Sequence, residues 1–177
     1  VREDIIRCLR LSDPFSLTTG FDRENLRFEV RNVRPSDKYE EMKTVIAKYP
    51  ESSGIVYCSS RKNVEEVCRR LREEGYSAAR YHAGLSDEER RTAQEDFIYD
   101  RVKIMAATNA FGMGIDKPDV RVVVHVDIPN SLEEYYQEAG RAGRDGKRSY
   151  AVLLTGHNDE RTLRRHITDS YPERDFI

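Results

Sequence analysis

Two arginines and a glutamine stand close together in residues 135–146, which read YYQEAGRAGRDG. Arginine suits phosphate binding, because its planar guanidinium keeps its charge and donates two hydrogen bonds at once. If the helix entering this segment continues, Gln137, Arg141 and Arg144 lie on one face at i, i+4 and i+7. If the helix stops at Gly140, they lie on a tight loop. Either way the segment offers an amide and two guanidinium groups to one polyanion, although a solvated basic turn has the same composition.

The composition describes one highly charged domain with extra segments. The chain has 177 residues, 38% of them apolar and 35% charged, which is enough for a substantial core. The formal net charge is −2, so any contact with nucleic acid must come from a local patch. Cys8, Cys58 and Cys68 form no C-x-x-C pair, which argues against a zinc site or a disulfide framework. No apolar run reaches membrane-spanning length and no signal peptide is visible, so we expect a cytosolic protein without a membrane partner. A helix-like pattern is already under way at Val1, so we expect a piece of a longer protein.

Strand patterns alternate with helix patterns along the chain. Short runs with few polar residues at 54–58, 78–81, 102–107, 120–126 and 149–154 predict buried strands, and Phe28 and Val30 alternate as in a further strand. Helix patterns precede, separate and follow them, including one at 1–11 and one at about 159–168. This order predicts an α/β fold with a three-layer, mostly parallel sheet that has helices on both faces.

Serines mark the starts of the predicted internal helices. Candidate N-caps are Ser36, the Ser59-Ser60 pair, Ser86 and Ser131. Glutamates three residues after the last two predict capping boxes at 86–89 and 131–134. The charged helix face at Glu133–Glu138 looks solvated, and we assign it no chemistry.

In a parallel sheet, ligands bind at the carboxyl ends of the strands. This rule points to four loops: Ser59–Arg61, His82–Gly84, Thr108–Asp116 and Arg141–Gly146. Structural alternatives exist for three of the side chains. The alternative for Ser59 is a helix cap with no DNA contact. His82 is equally a satisfied histidine at a strand end, and Thr108 is equally a residue that closes a strand.

Three segments carry a family resemblance. Residues 79–85 (ARYHAGL), 107–118 (ATNAFGMGIDKP) and 135–146 resemble, in this order and spacing, the second RecA-like lobe of the RecQ family of superfamily 2 DNA helicases. The pattern Q-x-x-G-R-x-G-R alone is typical of superfamily 2, and the first two segments narrow the resemblance to RecQ-like enzymes. Residues 22–26 (DRENL) resemble the family's crossing between lobes. We therefore expect residues 1–30 to be the end of a preceding lobe with the crossing, and residues 31–177 to be the RecA-like second lobe.

The resemblance implies a motor that hydrolyses ATP between two lobes and moves 3′ to 5′ along single-stranded DNA. It implies that Arg141 and Arg144 are arginine fingers that reach the γ-phosphate, where they offset the charge that spreads over the phosphoryl oxygens. Gln137 would place the nucleotide or its attacking water.

Further site residues follow from the same resemblance. Asp116 would approach the ATP ribose, and Gly112 and Gly114 would make its loop compliant enough to couple the ATP state to the grip on DNA. DNA contacts are expected to go mainly to phosphates, which position a strand without reading its sequence. The candidates for these contacts are Ser59, Arg61, His82, Thr108 and Asn109.

Two motifs of P-loop ATPases are missing from this sequence. It contains no G-x-x-x-x-G-K-[ST] loop and no Asp-Glu-x-His box, which hold the phosphates and Mg²⁺. The four-cysteine zinc module of the family is missing too, so we expect no zinc here. We predict half of an active site, inactive alone, whose partners are ATP with Mg²⁺, single-stranded or partly duplex DNA, and a first RecA-like lobe. The family implies DNA repair and recombination, in the nucleoid of a bacterium or the nucleus of a eukaryote.

Three other functions remain open on the residues alone. One is a nucleic-acid-binding or scaffolding module with a RecA-like fold and no motor role. Another is the second lobe of a superfamily 2 RNA helicase, which would share the arginines. A small-molecule enzyme with a flavodoxin-like sheet is least favoured, because no phosphate-binding glycine loop follows the first buried strand.

Overall fold

A computed structural model of the chain describes residues 2–15, 23–112, 115–156 and 159. Its helices are α1 Arg2–Cys8, α2 Lys38–Ile46, α3 Arg61–Glu73, α4 Asp87–Ile98 and α5 Leu132–Ala139, with a short 3₁₀ turn at Pro35–Asp37. Its strands are β1 Leu26–Asn32, β2 Ser53–Tyr57, β3 Ala78–Tyr81, β4 Ile104–Ala107, β5 Val120–His125 and β6 Ser149–Thr155. The predicted strands are therefore present, and of the helix predicted at 159–168 only Asp159 lies within the described residues.

These six strands form one sheet in the order β1-β6-β5-β2-β4-β3, and every pairing between them is parallel. The predicted α/β fold is confirmed, with a sheet that is wholly rather than mostly parallel. Strand β1 pairs with β6 over its whole length, so the sheet extends across the expected division after residue 30. No helix in the described ranges is long and apolar enough to cross a membrane.

Two apolar cores lie on opposite faces of the sheet. Alternate residues of β2 enter different cores, as the period of a strand requires. Val56 belongs to the core beneath α2 and α3. Ile55 and Tyr57 belong to the core that also receives Phe97 of α4 and Ala139 of α5. All five residues of β2 are buried in consequence.

The helix caps agree with the predictions at two sites. Ser86 forms a complete capping box with Glu89, and Ser60 caps α3 by accepting a hydrogen bond from the Asn63 N–H. The interpretation of Ser59 as a cap is wrong, because Ser60 occupies that position.

Two other caps differ from the prediction. Ser36 does not cap α2, because the 3₁₀ turn takes up the first residues and the N-cap position falls on Asp37, without a side-chain cap bond. Ser131 does accept a bond from the Glu134 N–H. The Glu134 carboxylate, however, accepts from the backbone N–H of Asn130, one residue before the cap. The capping box predicted there is therefore only half formed.

Candidate functional site

The two arginines of the 135–146 motif lie on a loop, as predicted for a helix that stops at Gly140. Helix α5 ends at Ala139, and Gly140 is its C-cap. Gln137 stays on the exposed surface of the helix, where its Nε2 donates to Glu133 at 3.3 Å. Arg141 and Arg144 follow on residues 140–148, which we call the arginine loop.

The arginine loop lies at the amino ends of the strands. Its backbone binds the start of β5, since the Gly143 N–H donates to the Val120 carbonyl at 2.8 Å and the Asp145 N–H to the Pro118 carbonyl at 3.1 Å. The prediction that Arg141–Gly146 joins the other three loops at the carboxyl edge is therefore wrong. The reason is topological, because this loop leads into β6 rather than out of a strand.

One connection joins the two edges of the sheet. Residues 108–119, here called the β4–β5 connection, leave the carboxyl end of β4 and reach the amino end of β5. Phe111 anchors it, fully buried, with its carbonyl accepting from the Tyr57 hydroxyl at 3.0 Å. The Phe111 ring packs edge-on against Tyr81 and Phe97. Gly114, an expected nucleotide-site residue, lies outside the described residues.

Arg141 holds the β4–β5 connection from the side of the arginine loop. Its Nη1 donates to the Gly112 carbonyl at 2.8 Å. A Cβ added to Gly112 would overlap the Arg141 guanidinium, so this contact requires glycine. The Arg141 Nε is buried and has no hydrogen-bond partner among the described residues. Burial raises the pKa of the nearby Tyr57 phenol, and the positive charge of Arg141 opposes that rise.

Arg144 is held more loosely than Arg141. Its Nη1 donates to the Ile115 carbonyl at 3.1 Å and lies 3.5 Å from Asp116 Oδ1. The side chains of Arg144 and Asp116 are 38% and 90% exposed. An exposed ion pair at this separation contributes about 0–1 kcal/mol, so the Ile115 carbonyl is the main contact that holds the Arg144 guanidinium.

Two predicted DNA-contact residues lie around one small pocket at the carboxyl edge. The backbone N–H and hydroxyl of Ser59 donate to the Asp127 carboxylate at 2.8 and 2.9 Å. Asn109 donates to Glu134 at 2.8 Å. Both donor groups are thus paired with carboxylates, and Asp127 is a residue of this edge that the sequence reasoning missed.

His82 and Arg61 form a second group at the same edge. His82 is buried, and its Nδ1 accepts from the Gly84 N–H at 3.1 Å while its Nε2 lies 2.9 Å from Glu65. Burial raises the pKa of Glu65, but hydrogen bonds from His82 and Arg80 hold it below its usual value. His82 is therefore satisfied within the domain. Arg61 is exposed, and its guanidinium lies against Gly84.

Thr108 makes contacts that close its strand. Its backbone N–H donates to the Tyr81 carbonyl at 3.1 Å, and its carbonyl accepts from the Phe111 N–H at 2.9 Å. The hydroxyl accepts a longer bond, 3.4 Å, from the Ala110 N–H. The hydroxyl proton is therefore still available to an acceptor at this edge.

Glu138 corrects the interpretation of helix α5. The predicted solvated face is wrong at this residue, which is buried with its Oε2 2.9 Å from Nε2 of the buried His125. The His125 ring stacks on Tyr57. The helical period held the missing signal, since Tyr135, Glu138 and Ala139 fall on one face, the face that packs on the sheet.

Within the described residues, no group of three His, Cys, Asp or Glu side chains is arranged to hold a metal ion. The candidate site residues fall into three groups. Arg141, Arg144, Gly112 and Asp116 lie together, Ser59 and Asn109 share a pocket, and Arg61 adjoins the loop of His82.

The parallel sheet and its two helical layers define a RecA-like α/β domain. A solved DEAD box protein from Methanococcus jannaschii superposes with a TM-score of 0.73 over 95% of this chain and 47% of that one, at 24% identity. The model of the helicase conserved C-terminal domain matches residues 37–146, and this chain belongs to that family.

Relatives narrow the family to the RecQ type. The chain is 42% identical to the ATP-dependent helicase SGS1 of Saccharomyces cerevisiae over 94% of its length. It is also 42% identical to the ATP-dependent DNA helicase RecQ of Bacillus subtilis over 98% of its length. The predicted resemblance to RecQ helicases is confirmed. The chain spans 12% and 29% of these two relatives.

Proposed function

We propose that this chain is the second motor lobe of an ATP-dependent 3′–5′ DNA helicase and that its arginine loop completes an ATP site on another lobe. The observation that carries the proposal is the exposed guanidinium of Arg144, three residues after Arg141. Among the residues that the structure describes, it is held only by the Ile115 carbonyl and, at 3.5 Å, by the Asp116 carboxylate. The names of the RecQ-type relatives, which include ATP-dependent helicases, support the choice of reaction.

Arg144 acts in this proposal as the finger that contacts the γ-phosphate. In the transition state, the transferred phosphoryl group spreads negative charge over its oxygens, and a guanidinium offsets that charge without any proton transfer. Leaving the Ile115 carbonyl costs Arg144 a single hydrogen bond, which a charge-assisted bond to phosphate replaces. Arg141 adds a second positive charge while it keeps its bond to Gly112.

Gln137 and Asp116 complete the nucleotide side of the proposed site. Gln137 is exposed, and its bond to Glu133 is long, so its amide can turn toward the nucleotide or the attacking water. The Asp116 carboxylate is almost fully exposed and suits a ribose hydroxyl as a hydrogen-bond acceptor. We assign Mg²⁺ and the phosphate cradle to the first lobe, because the motifs that hold them do not occur in this sequence.

Single-stranded DNA is proposed to cross the carboxyl edge of the sheet. Arg61 is the strongest contact, because it is exposed and begins α3, whose amino-terminal dipole also favours a phosphate. Thr108 contributes its hydroxyl. Ser59, Asn109 and His82 are weaker candidates, since their donor groups are paired with carboxylates that repel phosphate.

The β4–β5 connection provides a route between the proposed DNA and ATP sites. It begins at Thr108 beside the DNA edge, and its later residues Gly112, Ile115 and Asp116 contact the two arginines. A change at the phosphates that moves Arg144 therefore acts on the same segment that borders the DNA.

The decisive experiment is Arg144→Ala in the complete protein, with DNA-stimulated ATPase, nucleotide affinity and DNA affinity measured together. We expect ATP turnover to fall by about 10³-fold or more while both affinities stay within about twofold. Arg91→Ala, an exposed arginine on α4, is the matched control and should leave turnover unchanged. If Arg144→Ala keeps full turnover, the chain is better described as a nucleic-acid-binding module without a motor role.

Two further measurements test the finer parts of the proposal. The 177-residue chain alone should not turn over ATP, and turnover that Arg144→Ala abolishes would contradict the half-site. Unwinding assays on matched DNA and RNA duplexes should favour DNA, since preference for RNA would assign the lobe to an RNA helicase.

A further inference from the structure

Residues 23–25, which precede β1, hydrogen-bond to backbone carbonyls of the arginine loop. Arg23 donates from Nη1 to the Gly140 carbonyl at 2.7 Å and from Nη2 to the Gly143 carbonyl at 2.5 Å. These two carbonyls bracket Arg141, and Gly143 directly precedes Arg144. A single guanidinium therefore fixes one peptide group before Arg141 and another directly before Arg144.

Asn25 strengthens the same grip. Its Nδ2 donates to the Gly143 carbonyl at 2.7 Å and to the Lys147 carbonyl at 2.9 Å. Its own carbonyl accepts from the Ser149 N–H at 2.8 Å, where β6 begins. Gly143 has a φ of +62°, and a Cβ there would collide with the side chains of Asn25 and Ser149. The loop thus takes a conformation that only glycine fits, directly under the contacts from residues 23–25.

These contacts depend on the shape of arginine. The two carbonyls belong to residues three apart, and the planar fork reaches both at once from fixed, diverging nitrogens. A lysine ammonium is a compact point charge without that fork, so lysine cannot reproduce both hydrogen bonds in the same geometry. Both bonds are donated by the same charged guanidinium, which makes them stronger than bonds between neutral groups.

We propose that Arg23 is a positioning residue for the arginine loop. It couples the position of residues 23–25, which precede β1, to the position of the Arg144 guanidinium. The proposal rests on the proposed function. Residues 23–25 lead straight into β1, an edge strand paired with β6, while the loop they hold leads straight into β6. A displacement of the entering segment is thereby passed to Gly140 and Gly143, and through them to both arginines.

The test is a four-variant cycle in the complete protein: wild type, Arg23→Ala, Arg144→Ala and the double variant. We expect Arg23→Ala to lower the kcat of DNA-stimulated ATPase by about 10²-fold with little change in the KM for ATP, since misplacement by about 1 Å costs that much. In the Arg144→Ala background the same change should cost less than about twofold, because Arg23 acts through Arg144. Arg27→Ala, an exposed arginine on β1, is the matched control and should match the wild type.

Arg23→Lys keeps the charge and carries the test if Arg23→Ala does not fold. We expect the lysine variant to fold, to bind nucleotide normally and still to lose much of kcat. Wild-type kcat in either Arg23 variant while Arg144→Ala is inactive would overturn this proposal alone. Equal losses from Arg23→Ala in both backgrounds would overturn it as well, because the effect would then bypass Arg144. If Arg144→Ala itself is fully active, the proposed function falls, and this inference falls with it.

Discussion

The guanidinium of Arg141 lies directly against the backbone of Gly112, with Nη1 2.8 Å from the Gly112 carbonyl oxygen. The contact joins the arginine loop at the amino ends of the strands to the β4–β5 connection, which starts at their carboxyl ends. The absence of a side chain at residue 112 is therefore as important for the site as the charge at residue 141.

We expect Gly112→Ala to displace Arg141. The new Cβ would overlap the guanidinium, which must move aside and lose its hydrogen bond to the Gly112 carbonyl, so the free energy of unfolding should fall by about 1 kcal/mol. Urea denaturation of the 177-residue chain measures that change. DNA-stimulated ATPase of the complete protein should fall as well, because the arginine loop shifts with Arg141.

The background variant Arg141→Ala is the control for this substitution. With the guanidinium removed, alanine at residue 112 meets no overlap, and its cost should drop to within about 0.5 kcal/mol. An equal cost in both backgrounds would show that the backbone at residue 112, rather than its contact with Arg141, requires glycine.

The fold was predictable because its signals are local. Buried strands appear as short apolar runs, and Ser86 with Glu89 marks a helix start that needs nothing from the rest of the chain. Partners distant in sequence were not predictable. The bond between Glu138 and His125, and the grip of Arg23 on Gly140, depend on how strands far apart in sequence become neighbours. Whether the arginine loop lies at the amino or the carboxyl ends of the strands depends on the same topology.

Arg61→Ala tests the carboxyl edge as a DNA site. We expect the affinity for single-stranded DNA to fall across all sequences, because a phosphate contact reads no bases. The slope of log K against log salt should decrease by about 0.7, the value for one phosphate on a single strand. Fluorescence anisotropy of the complete protein over a salt series measures both quantities. An unchanged slope, equal to that of Arg91→Ala, would remove Arg61 from the DNA site.

Glu138→Ala should destabilise the lobe through its core rather than its chemistry. It leaves the Nε2 of buried His125 without its partner, which costs about 1–3 kcal/mol in the free energy of unfolding. Glu138→Gln keeps an oxygen acceptor and should lose less. Glu133→Ala on the exposed face of the same helix is the control, expected within about 0.5 kcal/mol of the wild type. A Glu138→Ala variant as stable as this control would mean that the buried pair contributes nothing.

Asp145 should make the stability of the arginine loop depend on pH. Its carboxylate accepts from Arg121 at 2.6 Å and from the Lys147 N–H at 3.1 Å, and the Arg121 bond above all holds the pKa of Asp145 below its usual value. Because the folded-state pKa lies below the unfolded value of about 3.9, the stabilisation is complete above that pH and is lost as the pH falls through the folded-state pKa. Asp145→Asn should therefore unfold at lower urea than the wild type at pH 7, and the two midpoints should converge between about pH 4 and pH 2. A gap between the midpoints that stays constant down to the lowest pH would show that the charge of Asp145 is not what stabilises the loop.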